Sequence, residues 1–79
     1  MATIKAQMPG VFYRRPAPEN PAYVEDGERI SEGQTIALIE VMKTFNEVKA
    51  EASGTVGTFL VEDGDEVDVG QDIVRLEDS

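Results

Sequence analysis

An internal repeat constrains the fold of this chain more than any other feature of its sequence. Residues 24–40 read VEDGERISEGQTIALIE and residues 61–77 read VEDGDEVDVGQDIVRLE, so eight of 17 positions are identical at a constant offset of 37. The match continues backwards, where PGVF at 9–12 resembles SGTV at 53–56. Because neither half is long enough to bury a core alone, we expect two similar halves that pack about a quasi-twofold axis.

Short segments between glycines predict strands along most of the chain. These segments are rich in Val, Ile, Thr and Phe, which favour strands. Asp-Gly pairs at 26–27 and 63–64 indicate tight turns, because both residue types tolerate the backbone angles that turns require. Together these features predict an all-β fold, a flattened barrel or sandwich, that spans residues 1–79 as a single domain.

One segment, residues 35–52, also fits a helix when it is considered alone. Its apolar residues recur at helical spacing, and it contains neither glycine nor proline. Its partner in the repeat, residues 72–77, is a short strand-like run near the end of the chain. The repeat therefore predicts a strand over 35–41, a chain reversal at Met42-Lys43 and a second strand over 44–50.

The predicted reversal places Lys43 at the tip of a two-residue hairpin. Such turns favour Asn-Gly or Asp-Gly because both central residues take positive φ, which methionine and lysine adopt only at a cost. A local rule that is broken in an otherwise consistent sequence is a reason to suspect function. An exposed lysine is ordinarily a solvating group. Lys43 becomes a candidate site because of where the repeat places it.

The first half contains a segment that the second half lacks. Gly10 to Val24 is 14 positions, whereas Gly54 to Val61 is only seven. The extra residues fall at about 14–21, RRPAPENP, and we refer to residues 14–21 as the insertion. Its three prolines favour a stiff, extended loop. Because the fold does not require this loop, it is expected either to recognise a ligand or only to stiffen the surface.

Composition excludes several classes of function. The chain has no cysteine and no histidine, which removes disulfides, thiolate chemistry, the commonest general base and most metal sites, so we predict no metal site and no catalytic residues. A net charge of −9 argues against nucleic acid or an anionic membrane as partner and favours a monomeric domain. No apolar run approaches membrane-spanning length. An enzyme is therefore not expected.

Four segments carry a resemblance to a known family. They read MPG at 8–10, GQTIALIE at 33–40, EVMKT at 40–44 and SGTV at 53–56, and they resemble biotinyl domains of biotin-dependent carboxylases. The likeness covers essentially the whole chain. The insertion and its flanking residues are similar to the "thumb" of the biotin carboxyl carrier proteins of acetyl-CoA carboxylase. The resemblance implies a biotinyl/lipoyl-type hammerhead barrel of two four-stranded antiparallel sheets.

The resemblance also implies a site. In the family, biotin is attached through an amide to the lysine of a Met-Lys pair at a hairpin tip, which implies biotin on Lys43 and recognition of Met42 by the ligase. The commonest family pattern is AMKM, whereas Val41 and Thr44 flank the pair in this chain. Possible contacts of biotin with the insertion fall on prolines, namely Pro16 and Pro18.

The function implied by the resemblance is that of a carrier and not of an enzyme. A biotin carboxylase would load a carboxyl group, a carboxyltransferase would receive it for acetyl-CoA or another acyl-CoA, and a biotin protein ligase would attach the cofactor. The expected location is the cytoplasm, or an organellar stroma if the chain comes from a larger targeted precursor. Two alternatives are a lipoyl carrier domain of a 2-oxo acid dehydrogenase complex and an unmodified β-sandwich adaptor. The Met-Lys pair and the insertion argue against the lipoyl domain, whose tip typically reads DKA.

Overall fold

In a computed structural model, which describes residues 2–77, the chain is built from strands and tight turns. The strands are β1 Ala2–Lys5, β2 Gly10–Tyr13, β3 Arg29–Ile30, β4 Thr35–Val41, β5 Thr44–Lys49, β6 Gly54–Phe59, β7 Glu66–Val67 and β8 Asp72–Glu77. Within that range there is no helix, so the apolar segment after residue 35 forms strands, as the repeat predicts. No helix that could cross a membrane occurs in the part of the chain described. Met1, Asp78 and Ser79, which the predicted domain of residues 1–79 includes, lie outside the described residues.

Two antiparallel sheets of four strands each confirm the predicted fold class. One sheet has the order β1-β8-β6-β3 and the other the order β5-β4-β2-β7. Exchanging each strand for its counterpart in the other half (β1 with β5, β2 with β6, β3 with β7, β4 with β8) converts one order into the other. The quasi-twofold symmetry predicted from the repeat is therefore present in the topology.

The backbone hydrogen bonds at the turns repeat in the same way. Gly27 N–H donates to Val56 O at 2.7 Å, and its counterpart Gly64 N–H donates to Phe12 O at 2.8 Å. Both glycines have φ of 88°, a conformation that residues with a side chain rarely adopt. Each Asp-Gly turn of one half is thus bonded to a strand of the other half, which ties the two halves together.

A single core fills the space between the sheets. The largest fully buried side chains are apolar and come from both halves: Phe12, Ile4, Ile30, Ile36, Ile39, Ile73, Val24, Val56 and Val74. Leu38 is also buried but does not belong to this cluster. Its cross-strand partner is Tyr13, and cross-strand partners share one face of a sheet. The outer face of the second sheet therefore has an apolar patch of its own.

Candidate functional site

The β4–β5 hairpin has the backbone that the sequence predicts for a two-residue turn. Val41 pairs with Thr44, so Met42 and Lys43 are its two central residues. Their φ angles are 51° and 67°, and they are the only residues other than glycine with positive φ among those described. Positive φ at both central positions is the property of a type I′ turn. The turn is therefore one that asparagine and glycine would form with less strain.

The strands below the turn hold this strained conformation in place. β4 and β5 pair continuously from Val41–Thr44 to Leu38–Glu47. The side-chain amide of Asn46 donates to Ile39 O at 3.3 Å and to Thr44 O at 3.2 Å. A left-handed conformation costs an ordinary residue about 1–2 kcal/mol, which the surrounding pairing must offset. The hairpin thus fixes where the tip residues lie.

Both tip residues are open to solvent. Met42 is 92% exposed, the highest value for a large hydrophobic residue in the described part of the chain, and Lys43 is exposed as well. Lys5 pairs with Asp72, and Lys49 Nζ lies 3.1 Å from Glu47 Oε1. Within residues 2–77, Lys43 forms no ion pair. All three lysines are exposed, and Lys43 differs from the other two in lying at a hairpin tip with no ion pair in that range.

A groove lies beside the hairpin, between β5 and the insertion. It has a volume of about 390 Å³ and is lined by Tyr13, Arg15, Pro16, Ala17, Pro18, Phe45 and Asp63. The rings of Tyr13 and Phe45 have centroids 6.2 Å apart and are tilted by 55°, which is favourable packing for two aromatic rings. Phe45 is two residues from Lys43 and remains 55% exposed. A group attached to Lys43 would therefore start next to an apolar surface.

The structure brings some of the sequence-predicted site residues together. Val41 and Thr44 form the last strand pair below the tip, directly under Met42 and Lys43. Pro16 and Pro18 both line the groove.

Sequence reasoning did not single out five of the seven residues that line the groove. Arg15 and Ala17 lie in the insertion, and the other three, outside it, are Tyr13, Phe45 and Asp63. Of the residues outside the insertion, Phe45 is the one that the sequence could have indicated, because it is a large aromatic residue on the edge strand β5. Asp63 could not be recognised, because it has the sequence of an ordinary turn residue of the repeat.

Comparison with known proteins places the chain in a family. Residues 2–76 match the family model described as "Biotin-requiring enzyme". The biotin carboxyl carrier protein of acetyl-CoA carboxylase from a Nostoc species is 43% identical over 76 residues, which is 96% of this chain and 42% of the relative. The corresponding protein of Chlamydia trachomatis is 40% identical over 73 residues, 92% of this chain and 44% of the relative. A chloroplastic one from Arabidopsis thaliana is 46% identical over 66 residues, 84% of this chain and 26% of the relative.

A solved structure agrees with the sequence matches. The urea carboxylase of Kluyveromyces lactis superposes with a TM-score of 0.77 at 26% identity, over 96% of this chain and 6% of that one. The chain spans less than half the length of each of the relatives named above. The matched span, residues 2–76, nevertheless covers both halves and the hairpin, and the chain therefore belongs to the biotin-requiring enzyme family.

Proposed function

We propose that this chain is a biotin carboxyl carrier domain in which biotin is attached through an amide to Lys43 Nζ. The observation that carries the proposal is the strained hairpin, with φ of 51° and 67° at Met42 and Lys43 and both side chains in solvent. A sequence free to vary would relieve the strain with glycine or asparagine. Retaining methionine and lysine there is consistent with a requirement of a modifying enzyme.

The residues around the tip fit the proposed group. The amide would join the biotin carboxyl carbon to an amine that has no ion pair within residues 2–77. The groove offers the attached ring an apolar wall from Tyr13 and Phe45, and Arg15 and Asp63 supply polar atoms there. When bound, biotin would supply a ring nitrogen that can carry a carboxyl group.

The contribution of the chain itself would be positional. The paired strands β4 and β5 fix the point from which the lysine side chain extends, while the side chain remains flexible. Tethering turns a bimolecular encounter into an intramolecular one, at effective concentrations of about millimolar for short flexible links. The domain would therefore hold no catalytic group and leave the chemistry to partner enzymes and cofactor.

Of the three partners that we propose, the first two are supported by the relatives, which are carrier proteins of acetyl-CoA carboxylase, and the third by the exposed Met42 at the hairpin tip. They are a biotin carboxylase, a carboxyltransferase that serves acetyl-CoA or another acyl-CoA, and a biotin protein ligase that contacts Met42. The place of action would be that of the carboxylase, the cytoplasm or an organellar stroma. The domain by itself would be a monomer.

The test is to replace Lys43 by arginine and to co-express the variant with a biotin ligase. Intact-mass spectrometry should show one added biotinyl group on the parent and none on Lys43→Arg. The free energy of unfolding should change by no more than about 0.5 kcal/mol, because an exposed tip residue has few contacts to lose. Lys49→Arg is the matched control and should be modified like the parent. Biotin found on Lys5 or Lys49 of the Lys43→Arg variant would overturn the assignment, and a lipoyl group on the parent would favour the alternative.

A further inference from the structure

The base of the insertion is anchored to both halves of the molecule through Arg14, which contacts Val24 and Asp26 in the first half and Phe59 in the second. Tyr23 N–H donates to Arg14 O at 2.9 Å and closes the loop. The Arg14 guanidinium lies 4.0 Å from the centroid of the Phe59 ring, donates to Val24 O at 3.3 Å and approaches Asp26 Oδ1 to 3.5 Å. Stacking on an aromatic face adds to the attraction of the charges. These contacts order the point at which the insertion leaves β2.

A second anchor is Asp63, which belongs to the second Asp-Gly turn. One of its carboxylate oxygens accepts the backbone N–H of Arg14, and the other lies 3.2 Å from Arg15 Nε. The turn that holds Asp63 is itself well fixed, because Gly64 N–H donates to Phe12 O at 2.8 Å and Asp65 accepts the N–H of Glu62 at 2.9 Å. One carboxylate thus connects a rigid turn to two successive residues of the insertion.

The repeat gives the two anchors a common origin. Asp26 and Asp63 occupy equivalent positions in the two Asp-Gly turns, at the offset of 37. Asp26 pairs with the guanidinium of Arg14, and Asp63 pairs with the guanidinium of Arg15. The insertion, which has no counterpart in the second half, is therefore held between two turns that the repeat supplies.

The Asp63 anchor also belongs to the groove. Asp63 and Arg15 both line it, together with Pro16 and Pro18 of the insertion, and Phe45 lines it from β5. A shift of the insertion relative to β5 would change the shape of this groove. The fold can make the same connection without the insertion. The contacts that order the insertion would therefore affect the binding of a group in the groove more than the stability of the fold.

We propose that Asp63 and Arg15 are positioning residues: their ion pair, with the Arg14 N–H bond to Asp63, holds the insertion at a set distance from Phe45 and so orients the group carried by Lys43. This inference rests on the proposed function of Lys43. The ion pair is partly exposed, with side chains 36% and 38% accessible. Loss of the ion pair should lower the population ratio of the ordered position of the insertion to displaced positions roughly two- to fivefold, because a partly exposed ion pair contributes a modest free energy.

The first arm of the test uses the unmodified chain and does not depend on the proposed function. Nuclear Overhauser contacts between the Tyr13 and Phe45 rings and the proline protons of the insertion are compared in the parent, Asp63→Asn and Arg15→Gln. Both variants should weaken these contacts, and Arg15→Lys, which keeps the charge, should retain most of them. Contacts as strong in Asp63→Asn and Arg15→Gln as in the parent would overturn the proposal. Because the two variants remove the same pair from opposite sides, the arm remains decisive if one of them fails to fold.

The second arm uses chains that carry biotin, with modification verified by mass. In Asp63→Asn the biotin ring protons should relax more slowly and shift towards those of a free biotinyl-lysine peptide. Asp68→Asn removes the same charge from a carboxylate that has no hydrogen bond or ion pair within residues 2–77, and it should leave the ring signals unchanged. Ring signals in Asp63→Asn that equal those of the parent would overturn the positioning role. A parent without biotin on Lys43 would instead contradict the proposed function, while the first arm would still report on the anchor.

Discussion

At the scale of single residues, Met42 and Lys43 depart furthest from what the backbone prefers. Both adopt positive φ without being glycine or asparagine, and Met42 is almost fully in solvent, where its apolar side chain gains nothing from burial. Each departure costs stability, and the well-paired strands of the hairpin offset that cost. Strain retained at an exposed position in this way is typical of a residue selected for recognition.

Met42→Asn should therefore stabilise the domain and impair its modification. Asparagine adopts positive φ with less strain, so the free energy of unfolding should rise by about 0.5–1 kcal/mol. The initial rate of biotinylation at limiting ligase should fall, because the apolar contact proposed for the ligase is lost. Met42→Leu is the control and should change neither quantity much, since it keeps both the strain and the apolar surface. Equal initial rates for parent and Met42→Asn would show that the ligase reads only the shape of the hairpin.

At the scale of elements, the insertion is an addition to a connection that the fold makes without it. Arg14, its first residue, accepts a hydrogen bond from the N–H of Tyr23, two positions beyond its last residue. Two residues between Arg14 and Tyr23 would give this bond the spacing of a β-turn. The loop can therefore be removed without stretching the chain between β2 and β3.

Replacing residues 15–22 by Asn-Gly should give a folded domain that unfolds cooperatively and is still biotinylated. The groove should be lost, so the biotin ring should become more mobile in nuclear magnetic resonance relaxation, and carboxyl transfer between partner enzymes should slow. The free energy of unfolding should fall by no more than about 2 kcal/mol, because the core contains none of the deleted residues. If the shortened chain fails to fold, the insertion is required for the fold. If it folds and carboxyl transfer is as fast as in the parent, the insertion has no role in carboxyl transfer.

The stability that the pairing of β1 with β8 contributes depends on pH. Lys5 and Thr3 donate hydrogen bonds to Asp72, which hold the pKa of Asp72 below its ordinary value of 3.8. A carboxylate whose pKa is lower in the folded state contributes stability above its unfolded pKa and loses it as the pH falls through its folded pKa.

Asp72→Asn should accordingly lower stability at pH 7 and have little effect well below pH 3.8. Urea unfolding of parent and variant at a series of pH values measures the difference. Asp68→Asn serves as the control for the general effect of removing a negative charge from an acidic chain. A difference between parent and Asp72→Asn that stays constant down to pH 2 would show that the carboxylate stabilises the strand pair without being ionised.

At the scale of the whole molecule, the two halves are interleaved. Among the strand pairs within residues 2–77, β1–β8, β2–β7, β3–β6 and β4–β5 join residues of different halves, and only β2–β4 and β6–β8 lie within one half. Each sheet therefore draws strands from both halves, and neither half has a complete sheet of its own.

Fragments 1–43 and 44–79 should each be unfolded when expressed separately. A half alone would expose the apolar face that the other half covers, and it has too few residues to offset the loss of conformational entropy. An equimolar mixture should recover the dispersed amide spectrum of the intact chain, with a thermal midpoint that rises with concentration. A dispersed spectrum from either fragment alone would contradict this account.

The sequence by itself determined the fold class, the symmetry and the hairpin. The offset of 37 identified equivalent turns and strands. It predicted strands within residues 35–52 in spite of their helical spacing, because a repeat carries information on the tertiary arrangement and local periodicity does not. It also located Met42 and Lys43 at a tip where φ is positive, which the structure confirms. These features are encoded by residues close together in the chain or related by a constant offset.

Only the tertiary structure decided what surrounds the hairpin. Tyr13, Phe45 and Asp63 are far apart in the sequence, and they meet because β2 and β5 both pair with β4 while the second Asp-Gly turn bonds to β2. The course of the insertion depends on the ion pair of Arg15 with Asp63 and on the stacking of Arg14 over Phe59. The spacing of residues in the sequence does not predict these contacts, because the insertion has no counterpart in the repeat. Its position is set by charges and rings that are distant in the sequence and are brought together by the folded sheets.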